Sequence, residues 1–380
     1  MFISVLDDIV CNAIDDQSDK REVALLTLRE LLQAGRRRKH VIFFPYLTDG
    51  QIEQLSKVLT NGELGILRFI QKIRVELNRL KSTLINSICV TFSIPSEQDD
   101  ATIYINPMKM GKIELYEETH LIVENLLDAD FYAEIVCNNF INKTHLLGCL
   151  KKISYYPTQG GGATISEVVR KEQELAQHVC LIIADSDKKH SGAEEGKTAG
   201  DIREAIKGFP KEEGAYGSLQ NLYVLSNVCE IENLVPLKVL HTISDKKRKK
   251  FINTYEGKLS YYDMKLGLDY RILYDTATYH EYKKIFAGED VWQQIEICRK
   301  SYRSRKKEFE DAVKDLPKLD GVWGTTLMRN LMCPANYKAK QALNMMKNIR
   351  VDTLTDEQKK EWEKIGKIVY SWCCCYTGLG

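Results

Sequence analysis

Short apolar runs alternate with amphipathic stretches along the chain, and the pattern is clearest in its middle. Leu121-Ile122-Val123 reads as a strand ending in Glu124, after which Phe131, Tyr132, Ile135 and Val136 recur at helical spacing. A second strand over 153–156 gives way to Gly160-Gly161-Gly162. The next helix opens with a capping-box pair, Thr164 and Glu167, and carries an apolar face of Ile165, Val168, Val169, Leu175 and Ala176. Val179-Cys180-Leu181-Ile182-Ile183-Ala184 predicts a third strand running into Asp185-Ser186-Asp187. A polar loop over 188–200, a short helix near 202–206 and a fourth strand over 222–225 follow. Strands alternating with helices in this way predict a parallel-sheet α/β domain.

The N-terminal part has its own rhythm. Phe2-Ile3-Ser4-Val5-Leu6 is a strand, 21–34 a Leu/Ala-rich helix, Val41-Ile42-Phe43-Phe44 a strand and 51–86 a long helical region, with further strands near 88–92 and 102–105. Beyond about 240 the pattern changes to charged helical stretches whose apolar faces carry Trp292, Ile295, Trp323, Leu327, Trp362, Ile365, Ile368 and Trp372. The expected organisation is an α/β fold with an N-terminal α/β unit (1–110), a central parallel-sheet domain (111–240) and a mainly helical C-terminal region (241–380) that binds substrate or a partner.

Composition narrows the setting. With 380 residues, 44% of them hydrophobic, the chain can bury a sizeable core. Lys plus Arg number 54 against 53 Asp plus Glu, so any nucleic-acid partner must be read from local patches. Eleven cysteines, scattered except for Cys373-Cys374-Cys375, form no disulfide framework and no spaced zinc pattern. With no long apolar run and no leader pattern, a cytoplasmic protein with free thiols and no membrane partner is expected. The cysteine trio reads as the end of a C-terminal helix beside Trp372.

The candidate chemistry lies where predicted strands end. Glu124, then Asp185 and Asp187, then Glu230 and Glu232 follow successive strands, the place where open parallel sheets bind ligands. Asp128 sits one helical turn beyond Glu124. Hard oxygen donors without His or Cys suit Mg²⁺ or Mn²⁺, as one ion or two, and such a cluster needs a cation to offset its self-repulsion. Taken alone, Asp185-Ser186-Asp187 is equally a turn in which Asp bonds its own backbone. Gly160, Gly161 and Gly162 permit either close approach to phosphate or close strand–helix packing.

Basic residues offer a path for nucleic acid: Lys188 and Lys189, the run Arg36-Arg37-Arg38-Lys39, the run Lys246-Lys247-Arg248-Lys249-Lys250, and Arg303, Arg305, Lys306 and Lys307. Tyr255, Tyr261, Tyr262 and Tyr302 lie near them and could stack on bases, although a charge run is also a plain solvated face. The seven histidines show no ligand or triad spacing and read as surface or packing residues.

At these residues the chain resembles a family. Val123-Glu124, Asp128, the glycine cluster and an apolar strand ending in Asp185-Ser186-Asp187 are similar, in order and spacing, to the Toprim domain of topoisomerases, primases and the overcoming-lysogenization-defect nucleases. Glu230-Ile231-Glu232-Asn233 is similar to Toprim proteins of bacterial anti-phage systems, including one partnered with an ABC-type ATPase. The resemblance spans about 118–236 and implies a central Toprim-like domain. It implies Glu124 as the catalytic glutamate, Asp185 and Asp187 as paired metal ligands that share in catalysis, and Asp128, Glu230 and Glu232 as further ligands. Lys188, Lys246, Lys247, Arg248 and the three glycines would meet the substrate.

The activity implied is metal-dependent endonucleolytic cleavage of DNA or RNA, transfer RNA included, in an anti-phage defence setting. The sequence has no Walker loop, so ATP hydrolysis would come from a partner protein; homo-oligomerisation stays open. One departure is Asn125 in place of the family's glycine. Asn tolerates a left-handed backbone, which keeps the turn available; a displaced Glu124 would leave a binding-only fold. The alternatives are a non-catalytic Toprim-fold interaction subunit and a metal-dependent nucleotidyl or glycosyl transferase using the Asp-x-Asp pair.

Overall fold

β-branched and aromatic residues dominate the buried strands, and burial on both faces explains why they read as continuous apolar runs. The computed structural model describes residues 1–96, 101–109, 114–175, 178–207, 215–216, 218–319 and 321–377. Among them the strands are β1 (Phe2–Val5), β2 (Val41–Phe43), β3 (Ser87–Val90), β4 (Thr102–Ile105), β5 (Thr119–Val123), β6 (Lys152–Ile153), β7 (Tyr155–Gln159), β8 (Cys180–Ala184), β9 (Ala215–Tyr216), β10 (Gln220–Val224) and β11 (Cys374–Cys375). One sheet has the order β2-β1-β3-β4-β9 and a second β10-β8-β5-β7, while β6 and β11 form an antiparallel pair. β1 pairs in parallel with β2 and β3, β3 with β4, and β5 with β7 and β8. The protein is therefore α/β with parallel-strand sheets and a mainly helical C-terminal region.

Two compact units result. The first contains residues 1–184, 200–223 and 363–380; the second contains 185–199 and 224–362. The segments expected as 1–110 and 111–240 largely share the first unit, and the end of the third returns to it. Side chains of the last segment explain that return. Within the first unit Trp372 Nε1 donates to Asn86 Oδ1 at 3.2 Å, and the Trp372 carbonyl accepts from Thr119 Oγ1 at 2.5 Å. Tyr376 and Tyr370 donate their hydroxyls to the carbonyls of Ile42 and Leu150. The cysteine trio sits here, buried and free, with burial pushing the Cys373 thiol up to about 12. Such thiols pack as small apolar groups and are poor nucleophiles.

The long helical region expected over 51–86 is built as three helices, Asp49–Leu55, Asn61–Lys72 and Arg74–Lys81. Thr60 and Glu63 make a reciprocal capping box that starts a new helix in mid-stretch, and that signal outweighs the continuing periodicity. The strand expected over 153–156 is split between β6 and β7 at Ser154, whose N–H donates to Cys373 O at 2.8 Å.

One face of the second sheet is covered by the helices Ile165–Leu175 and Lys197–Lys207. Ile122, Ile182 and Ala184 meet Ile165, Val169, Ile202 and Ala205 in a fully buried cluster. In the second unit the helices Lys246–Thr254 and Thr276–Phe286 bring together Phe251, Tyr255, Tyr262 and Phe286, with ring centroids 4.7 to 6.2 Å apart.

No helix among the described residues is long and apolar enough to cross a membrane.

Ile182 is wholly buried in the sheet cluster. Ile182→Ala should lower the free energy of unfolding by about 2–5 kcal/mol in a urea titration. A change within about 0.5 kcal/mol, the range typical of surface positions, would place Ile182 outside a packed core.

Candidate metal centre

β8 delivers the chain to Asp185 and then stops. The Ser186 and Asp187 N–H groups both donate to the Cys229 carbonyl at 3.0 Å, and Ser186 Oγ donates to Val228 O at 2.7 Å, so the period-two alternation ends with the strand. Asp187 adopts a left-handed backbone with φ of 52°, a conformation that Asp tolerates better than most residues. A Cβ on Gly196 would fall 2.4 Å from the Asp187 Cβ, so only glycine lets the returning loop lie against it. The two aspartates thus take different parts: Asp187 turns the chain, while Asp185 enters a carboxylate cluster within the second unit.

Glu230 opens a short 3₁₀ turn, Ile231–Leu234, and Asn233 holds that turn from inside. Its Oδ1 accepts from Glu230 N at 2.9 Å, and its Nδ2 donates to the carbonyls of Leu259 and Tyr262 at 2.8 Å each. Gln358 Nε2 donates to the carbonyls of Asn233 and Val235. Upstream, the buried Glu361 carboxylate accepts the N–H groups of Ser226 and Asn227 and both of their side chains at 2.6–3.0 Å. These bonds fix the segment that presents Glu230 and Glu232.

Asp185, Glu230 and Glu232 each place one oxygen so that the three lie within 4.8 Å of one another. Their side chains are only 8%, 6% and 3% exposed, and one cation stands among them. Lys265 Nζ lies 3.1 Å from Glu232 Oε2, 3.5 Å from Glu230 Oε2 and 3.6 Å from Asp185 Oδ2. The remaining oxygens are oriented by backbone: Asp185 Oδ1 accepts from Ile231 N at 2.9 Å and Glu230 Oε1 from Met264 N at 2.8 Å. Burial and the neighbouring Glu232 push the Glu230 carboxyl up to about 8, and burial raises Glu232 as well. Burial alone would lower Lys265, but Asp185, Glu232 and Glu230 outweigh it and hold the ammonium above its usual range.

The donor set suits a hard divalent ion, being all carboxylate, and Glu232 Oε2 is buried with the Lys265 ion pair but no aligned hydrogen bond. Nothing in the spacing of the sequence signals Lys265, which reaches the carboxylates from a loop far along the chain. It is the functional candidate that sequence reasoning missed.

The other expected residues fall as follows. Glu124 directly follows β5 in the first unit and is half-buried. Asn125 is extended, with φ of −133°, not left-handed; it caps the helix Leu126–Asp130, so glycine is not required there. Asp128 closes the same capping box by accepting from Asn125 N at 3.0 Å. The N–H groups of Gly160 and Gly161 donate to the carbonyls of Val123 and Glu124 at 2.7 and 2.9 Å, extending the β5–β7 pairing rather than facing phosphate. A Cβ on Gly160 would lie 2.3 Å from Ile165 Cγ1, which answers for the close strand–helix packing.

Lys188 is half-buried, and Lys246 and Lys247 are exposed on the first turn of their helix. Arg248 is committed to structure: its Nε donates to Val322 O at 2.7 Å, and its guanidinium pairs with Asp245, the residue that caps the helix. Tyr255 and Tyr262 are buried in the aromatic cluster, so the expected stacking on bases does not apply to them. The reason is local: Tyr255 closes the helix Lys246–Thr254 and Tyr262 follows in the next loop, and both rings pack on Phe251. Tyr302 lies under Arg305, 5.2 Å from the guanidinium. The second unit also holds a cleft of about 490 Å³ whose lining includes Lys189, Arg271, Lys314 and Lys318.

No protein-family model, curated protein or solved structure matches the chain.

A carboxyl held near 8 in the folded protein, against an ordinary 4.5, keeps its proton across neutral pH. Its contribution to stability is complete below 4.5 and is lost as pH rises through about 8. Thermal melts of the EDTA-treated protein should therefore fall over that interval, and Glu230→Gln should flatten the slope. An unchanged slope in E230Q would assign the dependence to another group. In Mn²⁺ calorimetry Asp185→Asn should weaken binding at least tenfold, whereas Asp187→Asn should leave it within about twofold; equal losses would give both aspartates the same part.

Proposed function

We propose that the chain is a metal-dependent nuclease that cleaves phosphodiester bonds in DNA or RNA. The observation that carries this reading is the convergence of three buried carboxylates, Asp185, Glu230 and Glu232, on a single cationic position. A bound Mg²⁺ or Mn²⁺ would polarise a phosphoryl oxygen and lower the pKa of an attacking water. The carboxylates would hold it, Asp185 and Glu230 each using one oxygen on a backbone N–H and keeping the other for the ion. Lys265, 26% exposed, is the open member of the group and can turn its ammonium toward a substrate phosphate. The lysines of the neighbouring cleft support a polyanionic substrate.

The resemblance adds the setting of an anti-phage effector beside an ATPase partner, and the missing Walker loop agrees with a divided complex. It also gives Glu124 the catalytic part and Asp128 that of a further ligand, whereas Asp187, which turns the chain, is left out of the donor set.

A competing reading has its own observation. Lys265 already offsets much of the carboxylate charge, so the cluster could be an ion-pair network in a non-catalytic interaction subunit.

Lys265→Ala separates the two. Removing one partner of a buried charge group typically costs about 3–5 kcal/mol. If the carboxylates hold metal, millimolar Mn²⁺ should recover much of the lost melting temperature in K265A and raise that of the wild type. If they serve only as a network, Mn²⁺ should restore nothing. On plasmid DNA and total RNA with Mn²⁺, cleavage should fall about a hundredfold or more in D185N and K265A. Glu124→Gln tests the part given by resemblance and should likewise remove cleavage while leaving the melting temperature near that of the wild type. Undiminished cleavage in folded D185N would assign the activity elsewhere.

A further inference from the structure

A second group of ligand-type side chains lies in the first unit and is unlike the first in chemistry. His120 is a β5 residue whose register partners are Tyr156 of β7 and Cys180 of β8. His178 precedes β8, and Glu172 projects from the helix Ile165–Leu175. The His120 N–H donates to Val179 O at 2.8 Å, so the β5–β8 ladder itself sets the two histidines side by side.

Both imidazoles turn the same atom to the same oxygen. His120 Nδ1 and His178 Nδ1 each lie 3.3 Å from Glu172 Oε2, and the rings stack with centroids 3.9 Å apart. The side chains are 12%, 18% and 14% exposed for His120, His178 and Glu172. His120 Nδ1 is buried without an aligned hydrogen-bond partner.

We propose that His120, His178 and Glu172 form a binding site for a borderline transition-metal dication of the Zn²⁺ class, separate from the all-carboxylate centre. Two imidazole nitrogens and one carboxylate oxygen are the donors such ions select, whereas Mg²⁺ and Ca²⁺ favour oxygen alone. The spacing fits. Bonds of about 2.1 Å in a tetrahedron place neighbouring ligand atoms roughly 3.4 Å apart, close to the separations found here. The rings are 16° from parallel, so each must rotate about its χ2 to point a lone pair at the ion, and that torsion is broad for histidine. Glu114 Oε2 lies 3.9 Å from His178 Nε2, on the side that favours a proton on Nε2 and leaves Nδ1 as the ligand. A fourth position falls to water. The ion would tie the helix Ile165–Leu175 to the entrance of β5 and β8, a stabilising clip at the amino end of the strands.

Cobalt reports such a site directly, because tetrahedral Co²⁺ with nitrogen donors gives strong visible bands. The EDTA-treated full-length chain is titrated with Co²⁺, and Zn²⁺ is then used as competitor. A one-to-one visible band displaced by Zn²⁺ is expected, together with a rise in melting temperature on adding Zn²⁺. His178→Gln and His120→Gln should weaken Co²⁺ binding at least tenfold, while E230Q and D185N leave the band intact. His178 precedes its strand, so H178Q decides if H120Q fails to fold. No visible band and no Zn²⁺ shift at millimolar metal would overturn the site and leave an internal hydrogen-bonded triad. A band undiminished in folded H178Q, or lost only in D185N, would overturn it equally.

Discussion

Three buried carboxylates with oxygens within 4.8 Å of one another repel in a poorly solvated interior, and the second unit accommodates them by placing the Lys265 ammonium in their midst. Around that contact the rest of the unit is arranged. The Asn233 amide fixes the turn that carries Glu230 and Glu232, the Glu361 carboxylate fixes the approach to it, and the Cys229 carbonyl draws the chain out of β8 so that Asp185 alone faces inward. Each is a local hydrogen-bonding solution, and together they hold acidic groups where water cannot screen them.

That arrangement stores a charge imbalance. Among the described residues one ammonium, that of Lys265, pairs with the three acids, and the raised Glu230 carboxyl, which favours a proton, makes up part of the difference. A cation of higher charge density could replace both proton and ammonium, which is why the cluster is read as a metal centre and not as a surplus of ion pairs. In the proposed metal-bound state Lys265 would exchange its internal role for one toward substrate.

The sequence made the strand ends legible because apolar runs terminating in acids are strong local signals, and β5 and β8 lie where those runs predict. Asp185, Glu230 and Glu232 were visible for the same reason. What could not be read depends on tertiary closure. Lys265 approaches from a loop with no spacing relation to the acids, and the pairing of His120 with His178 arises only when β5 and β8 align. Tyr255 and Tyr262 neighbour lysines in the sequence and so read as stacking platforms, yet both pack on Phe251 in the core. Asn125 was judged against a glycine whose left-handed backbone this chain does not use, since an extended cap makes the same exit from the strand.

The chain passes between the two units after Ala184, before Gly200, after Tyr223 and before Glu363. No single cut therefore releases either unit as a continuous polypeptide, and a fragment ending anywhere within 224–361 leaves both incomplete. Because 363–380 supplies Trp372, Tyr370 and Tyr376 to the first unit, that unit cannot close until this segment has been synthesised. A newly made chain thus acquires its carboxylate-bearing segment before the first unit is complete.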